Sequence, residues 1–477
     1  MNRFRSLLAF AATLLAAAAA TRSAAAEKAR PNVLVIITDQ QHAGMLSCAG
    51  NRYVDTPAMD SLAATGCRFE RAYAANPVCI PSRVSMMSGR MPSYFGMRSN
   101  ADSRNAISEA DLARCLGWVF KNAGYRTLHG GKTHWLRGMT PQSIGFETLT
   151  SDQRDELADA SAEFLRGEHH QPFLLVASFI NPHDICYMAI DDYTAATHGE
   201  TIYPSSRKER TTLAEALKLP EGMSREAFFR DVCPPVPDNY EVPKLEPECV
   251  TTYYLGIRPF RLHARESWPD EKWRLHRWAY CRLTEMVDSQ IGRVLDALRA
   301  SGLEDRTLVV FTSDHGDLDA AHRLEHKSIL YEEAARVPLV VSQKGVTKAG
   351  LVDDEHLVSV GLDLIPTLCD YAGIDPPAGL LGSSVRPLAE GRPLPSWRDS
   401  VVVETENGRM IRTARYKYNL YDSGAHREQL IDLEADPGEM QNLAQDPAHA
   451  DVRKTHRALL RRWIESSGDE IGKAYLD

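Results

Sequence analysis

Short apolar runs that end in polar clusters recur along the chain. Val33-Leu34-Val35-Ile36-Ile37 is unbroken and rich in β-branched residues, and it ends in Thr38-Asp39-Gln40-Gln41. Leu308-Val309-Val310-Phe311 ends in Thr312-Ser313-Asp314-His315, and Phe173-Leu174-Leu175-Val176-Ala177 leads to Asn181-Pro182-His183-Asp184. Runs of this kind, without alternation, predict strands buried on both faces, as in a parallel sheet. Ligands of open α/β sheets sit beyond the carboxyl ends of the strands, so the polar clusters are expected to converge there. Leu283, Met286, Val287, Ile291, Val294, Leu295 and Leu298 recur at helical spacing, with Gly302 just past the end. Residues from about 186 to 270 are punctuated by Pro220, Pro234, Pro235, Pro237, Pro243, Pro247, Pro259 and Pro269 and read as a loop-rich insertion. A Pro/Gly-rich stretch from Gly373 to Pro395 reads as a domain connection. Beyond it, three short apolar segments (Val401 to Glu404, Met410 to Thr413, Tyr416 to Tyr421) and a polar helix over Val452 to Ile464 suggest a small α+β subdomain. The expected division is thus a main α/β domain over 27–390 and a subdomain over 391–477.

The first residues change the picture of where the protein works. Arg3 and Arg5 precede an apolar run from Ser6 to Ala20, and Ala24-Ala25-Ala26 offers a small-residue cleavage site. Residues 1–26 therefore read as an export signal, too short to span a bilayer comfortably, and a periplasmic or secreted protein is expected. No later stretch is apolar enough to predict a membrane span, so no stable membrane association is expected. The formal net charge of −9 argues against a nucleic-acid partner and requires any anionic ligand to be met by a local basic pocket. The nine cysteines form no CxxC pair, which argues against a structural zinc site. The odd number leaves at least one unpaired, and Cys233 with Cys249 is a candidate disulfide.

The segment Cys79-Ile80-Pro81-Ser82-Arg83, followed by Gly89-Arg90, carries the strongest chemical signal. Pro81 fits the first turn of a helix, whose free N–H groups and dipole suit an anion. This segment resembles the C-x-P-S-R signature of the type I sulfatase family, in the alkaline-phosphatase-like superfamily. The resemblance extends in order over nearly the whole mature chain. Pro31 to Gln40 is similar to the family's opening strand, and Gly131-Lys132-Thr133-His134 to its G-K-x-H. Asn181-Pro182-His183 is similar to its P-H, Ser313-Asp314-His315-Gly316 to its S-D-H-G, and Lys327 with Tyr331-Glu332 to its K-x-x-x-Y-E. It is thinnest across the 186–270 insertion.

The resemblance implies a large, mixed, mostly parallel sheet flanked by helices, and a sulfuric ester hydrolase. It implies that Cys79 is oxidised to formylglycine by a formylglycine-generating or sulfatase-maturating enzyme. It also implies that Asp39, Asp314, His315 and the modified Cys79, with Gln40 joining, hold one divalent ion. Attack by the hydrate on sulfur, with His183 as general acid and Lys327 binding sulfate, releases the alcohol. His134 then takes a proton from the second hydroxyl and expels sulfate, while Arg83 and Lys132 neutralise charge. Gln40 stands where many relatives have Asp, and His315 where many have Asn. The family pattern implies Ca2+, and the histidine nitrogen extends the choice to Mn2+.

The expected substrate is a sulfated carbohydrate, such as glycosaminoglycan or algal-type polysaccharide fragments. Phosphonate or phosphate ester hydrolysis on the same fold, and a non-catalytic carbohydrate-binding relative, are the alternatives. His322 and His326 are expected at the surface or behind the ligands, and Asp55 and Asp60 as caps. Trp268, Trp273 and Trp278 are expected in the core or along a sugar site.

Overall fold

A computed structural model of the chain describes residues 30–476 apart from Glu200 and Ile202; the expected export signal lies outside the described residues. Residues Asn32–Asp477 form one compact unit. Its centre is an eight-stranded sheet whose strands are β1 Asn32–Asp39, β2 Cys67–Phe69, β3 Arg126–Gly131, β4 Glu147–Thr148, β5 Phe173–Pro182, β6 Thr307–Ser313, β7 Leu339–Ser342 and β8 Leu351–Asp353. They lie in the order β4-β3-β5-β1-β6-β7-β2-β8. Only β7 runs against its neighbours β6 and β2, and the other pairings are parallel. The sheet is therefore mixed and mostly parallel.

The unbroken apolar runs do what their pattern predicts. Every residue of β1, β5 and β6 is buried. Val33 pairs with Leu174 on one side and with Leu308 on the other, so β1 is the central strand. One face packs on helix α1 Pro57–Thr65 and on the long helix α7 Asp270–Ala300; the opposite face packs on α2 Cys79–Ser88 and α8 Val360–Ala372. Helix α7 spans Asp270–Ala300, well before the Leu283 start read from aliphatic spacing. Trp273, His276, Trp278 and Tyr280 continue the buried stripe toward the N-terminus, and Pro269 stands at the cap.

The segment expected to be loop-rich is instead largely helical. Helix α3 Asp155–Arg166 precedes it, and it contains α4 Cys186–Thr197, α5 Arg207–Ala216 and α6 Pro259–Ser267, with a further short helix at Arg225–Asp231. The prolines misled because two of them start helices: Pro259 is the first residue of α6, and Pro269 caps α7. Trp268 and Trp273 meet edge to face at 4.9 Å in the core of this region, and Trp278 packs on Phe228 while one edge lines a surface pocket with Tyr53, Arg230 and Arg282. Cys233 and Cys249 lie in separate apolar clusters, and all nine cysteines are free, which overturns the candidate disulfide.

Four antiparallel strands, β9 Val401–Glu404, β10 Gly408–Arg412, β11 Tyr416–Tyr421 and β12 Glu428–Asp432, form a second sheet in that order. Helix α9 Ala450–Ser467 covers it through Leu460 and Ile464. The fourth strand was not legible as an apolar run because Glu428 and Gln429 open it. No helix among the described residues is long and apolar enough to cross a membrane.

Where β3 hands the chain to Lys132, Gly131 adopts φ +88°, and a Cβ there would lie 2.0 Å from the Ser178 carbonyl and 2.7 Å from Leu157. Left-handed strain and overpacking together make Gly131→Ala cost roughly 2–5 kcal/mol, read as a lowered urea midpoint with an unchanged slope.

Candidate active site

Four adjacent strands, β3-β5-β1-β6, deliver polar residues from their carboxyl ends to one place. Asp39 closes β1, Lys132 follows β3, His183 follows β5, and Asp314 and His315 follow β6. Facing them is the start of α2, where Val78 is extended, Cys79 is the first helical residue, and all ten residues are buried. The Ile80 N–H is satisfied by Asn100 Oδ1 at 3.0 Å, and Ser82 Oγ donates to the Asp314 carbonyl at 2.5 Å. These bonds fix the helix against β6 with its positive end at Cys79.

The result is a compact set of ligand atoms. Cys79 Sγ lies 3.1 Å from His315 Nε2 and 3.9 Å from Asp39 Oδ1. His315 Nε2 is 3.9 Å from Asp39 Oδ1 and 3.7 Å from Asp314 Oδ1. One atom from each of the four residues lies within 4.8 Å of all the others. His315 Nδ1 sits 2.9 Å from the Gly316 carbonyl and donates to it, which leaves Nε2 as the acceptor facing the cluster.

Charge at the site is paired closely. Arg83, only 2% exposed, donates from Nε to Asp314 Oδ2 at 2.7 Å and from a terminal nitrogen to Asp39 Oδ2 at 2.9 Å; its other terminal nitrogen reaches Ser178 Oγ at 2.6 Å and the Lys132 carbonyl. Lys132 Nζ is 2.6 Å from Asp39 Oδ2. The anionic oxygens that Arg83 holds are thus those of the protein's own carboxylates rather than a ligand's. Gln40 adopts φ +69°. Its N–H donates to Asp314 Oδ1 at 3.1 Å and its Nε2 to Asp317 Oδ2 at 2.6 Å, while its Oε1 accepts from Lys327 and from the Cys186 thiol.

Burial and the Asp39 charge push the Cys79 thiol up, but the ammonium groups of Lys327 and Lys132 and the His315 ring outweigh them and leave it well below the usual range. Burial and the neighbouring Asp39 carboxylate push Asp314 up to about 6. Burial also opposes ionisation of Asp39, but Lys132, His183 and Arg83 hold it well below the ordinary carboxylate value. His183 lies against the Cys79 thiol; burial together with Lys132 and Lys327 lowers it to about 4, and its Nδ1 has no partner.

Lys132, His183 and Lys327 are therefore brought to the Cys79 cluster as expected. His134 is half-buried at φ +46° with its Nδ1 unpartnered, and no bond ties it to the cluster. His322 and His326 are both buried, which corrects the surface reading: His322 stacks on Tyr331 at 4.0 Å and His326 on Phe260 at 5.1 Å. A second group, His322, Glu333 and Glu439, already has the Lys417 ammonium against Glu439. Asp60 lies inside α1 rather than at its cap, and its carboxylate accepts from Ser47 Oγ and the Cys48 N–H and ties the helix to the preceding turn. Ser178, Asp317 and Cys186 were missed. Asp317, two residues past His315, was open to notice; Ser178 and Cys186 join the site only through the strand register and the helix that follows it.

Donors of two carboxylates, an imidazole nitrogen and the residue-79 side chain suit one divalent cation, whose charge would relieve the repulsion that raises Asp314. Such a centre beyond the strand ends of a large mixed sheet defines the alkaline-phosphatase-like class of metal-dependent ester hydrolases. Within that class the chain belongs to the sulfatase family, whose model matches residues 31–374, and a model described as N-sulphoglucosamine sulphohydrolase, C-terminal, matches residues 320–466. It is similar to a Delta 4,5-hexuronate-2-O-sulfatase of Bacteroides thetaiotaomicron, 30% identical over 476 residues that cover 95% of this chain and 93% of that one. The structure of a 2-O GAG sulfatase matches at a TM-score of 0.77 and 29% identity, covering 93% of this chain and 94% of the other. A phosphonate monoester hydrolase of Agrobacterium radiobacter shares the fold at a TM-score of 0.70 and 23% identity, covering 92% and 96%. The protein is an enzyme that hydrolyses sulfate esters.

Because Asp314 must be ionised to bind a cation and titrates near 6, ion binding releases protons as the pH falls toward that value. Apparent affinity for Ca2+ or Mn2+ should therefore drop between pH 7 and pH 5. Calorimetry in two buffers of different ionisation heat reads the proton release, and Asp314→Asn should abolish binding and proton release together.

Proposed function

We propose that the enzyme removes sulfate from sulfated carbohydrates, with Cys79 converted to formylglycine and Asp39, Asp314, His315 and residue 79 holding Ca2+. The observation that carries this reading is the placement of Cys79 at the buried start of α2, 3.1 Å from His315 Nε2 and facing two carboxylates. The ion, when bound, polarises the sulfate and favours ionisation of the nucleophile. Gln40, expected to join the ligands, instead turns its Oε1 to the Lys327 ammonium and the Cys186 thiol and so positions Lys327 beside the set. Mn2+ is the second choice, favoured by the His315 nitrogen.

The protein's own groups divide the work. Arg83 holds Asp39 and Asp314 in position and does not touch substrate. Lys132 and Lys327 place two ammonium groups where sulfate oxygens bind. The His183 ring lies against residue 79, and a bound sulfate, by offsetting the Lys132 and Lys327 charges that help burial lower it to about 4, would let it carry the proton for the leaving oxygen. His134, on the segment leaving Lys132, is the base that regenerates the resting site; its free Nδ1 leaves it able to turn toward the cluster. The carbohydrate assignment draws support from the similar hexuronate and GAG sulfatases. Export through the N-terminal segment and maturation by a formylglycine-generating enzyme complete the reading.

The Cys79 peptide of protein co-produced with a maturating enzyme should show the thiol-to-aldehyde mass loss, and Cys79→Ala should lower turnover by at least about 10³-fold. Sulfated saccharides should be hydrolysed with a higher kcat/KM than matched phosphonate esters; the opposite order would assign the site to phosphonate chemistry. His134→Ala should lower kcat and KM together, leave kcat/KM nearly unchanged and let a sulfated enzyme accumulate, readable by intact mass, because the residue acts after the alcohol has left.

A further inference from the structure

Two loops beside the nucleophile carry arginines whose charge the fold leaves unpaired. The first is the turn Asn100–Arg104, rooted at the site because Asn100 Oδ1 accepts the Ile80 N–H at 3.0 Å. Just before it, the Arg98 carbonyl accepts from Asn76 Nδ2 at 3.2 Å. The second is the segment leaving Lys132, whose Nζ meets Asp39; the Arg137 N–H donates to the Ser103 carbonyl at 2.8 Å and ties the two loops together. Arg98, Arg104 and Arg137 are all exposed, and among the described residues none of their guanidinium groups makes a hydrogen bond or ion pair. Asp102, in the same turn, uses its side chain to accept the Arg98 and Ser99 backbone N–H groups at 2.8 and 3.1 Å and forms no ion pair with any of the three guanidinium groups. In a chain of formal net charge −9, three unpaired arginines on two bonded loops are a local positive rim against the general field.

We infer that Arg98, Arg104 and Arg137 read a second anionic group on the substrate, a carboxylate or a further sulfate on the sugar unit next to the ester being cleaved. This rests on the sulfatase reading and adds the charge of the substrate to it. The guanidinium fork suits both anions, and an exposed arginine supplies binding without entering the chemistry. The three residues are therefore specificity residues and not catalytic ones.

The test compares wild type with the triple variant R98A/R104A/R137A on three substrates: 4-nitrophenyl sulfate, a 2-O-sulfated unsaturated uronate disaccharide, and a glucosamine bearing two sulfates. Expected is a loss of at least tenfold in kcat/KM on the doubly anionic sugars, carried by KM, with 4-nitrophenyl sulfate changed less than twofold. Whichever sugar shows the loss names the anion. An equal loss on all three, or no loss on either sugar, overturns the inference while leaving the sulfatase reading intact. A wild type inactive on all three after verified conversion of Cys79 overturns the sulfatase reading, and this inference with it. Arg98→Lys, Arg104→Lys and Arg137→Lys together should recover part of the lost KM, which a purely structural role would not give.

Discussion

Asp39 and Asp314 end neighbouring parallel strands and are both fully buried, so the register of β1 and β6 forces two carboxylates together out of water. Left alone, such a pair would not stay ionised. Arg83 bridges them with separate nitrogens, and Lys132 takes the outer oxygen of Asp39. Arg83 in turn is fixed by Ser178 on β5 and by the first turns of α2, so the helix that presents Cys79 is held in place by the carboxylates it faces. Even so, Asp314 is pushed up to about 6, because Arg83 offsets only part of the burial cost and of the Asp39 charge. The geometry of the site and its demand for a cation thus follow from one interaction.

Much of this was legible in the sequence because it lives on strands. An unbroken apolar run announces a buried parallel strand, and a polar cluster at its end announces a site residue, so Asp39, His183, Asp314 and His315 could be placed before any coordinates. Spacing did less well where the site is held by contacts that cross the fold. Nothing in the run Phe173 to Ile180 marks Ser178 as the partner of Arg83, since a serine inside a buried strand satisfies its hydroxyl in many ways. Cys186 likewise reads as an ordinary buried thiol until its bond to Gln40 is seen. The helices between 186 and 267 were hidden by proline, whose meaning depends on whether it sits inside a helix or at its first turn.

The free cysteines bear on the same point. Apart from Cys48, which is partly buried, they are buried as small apolar groups, and all nine are free. Cys79 differs from the rest by its charge environment. Burial raises Cys67, Cys115, Cys249 and Cys369 to about 12, whereas two ammonium groups and a histidine draw Cys79 the other way.

Formal charge at the site shows why a thiol and its oxidised form are not equivalent there. Asp39, Asp314 and a Cys79 thiolate bring three negative charges against three positive ones on Arg83, Lys132 and Lys327, and the His315 ring, which burial pushes down but Asp314 and Cys79 raise on balance, adds to the positive side. Replacing the thiolate by a neutral hydrate leaves at least one positive charge over before any cation binds, and a divalent ion adds two more. That surplus favours a bound anion. Gln40 acts in the same direction: where many relatives carry a second acid, this chain has a neutral amide, oriented by Asp317 on one side and by Lys327 and Cys186 on the other. An acid at that position would pair with Lys327 and remove its charge from the pocket. The amide holds the ammonium in place by a hydrogen bond that leaves its charge unpaired.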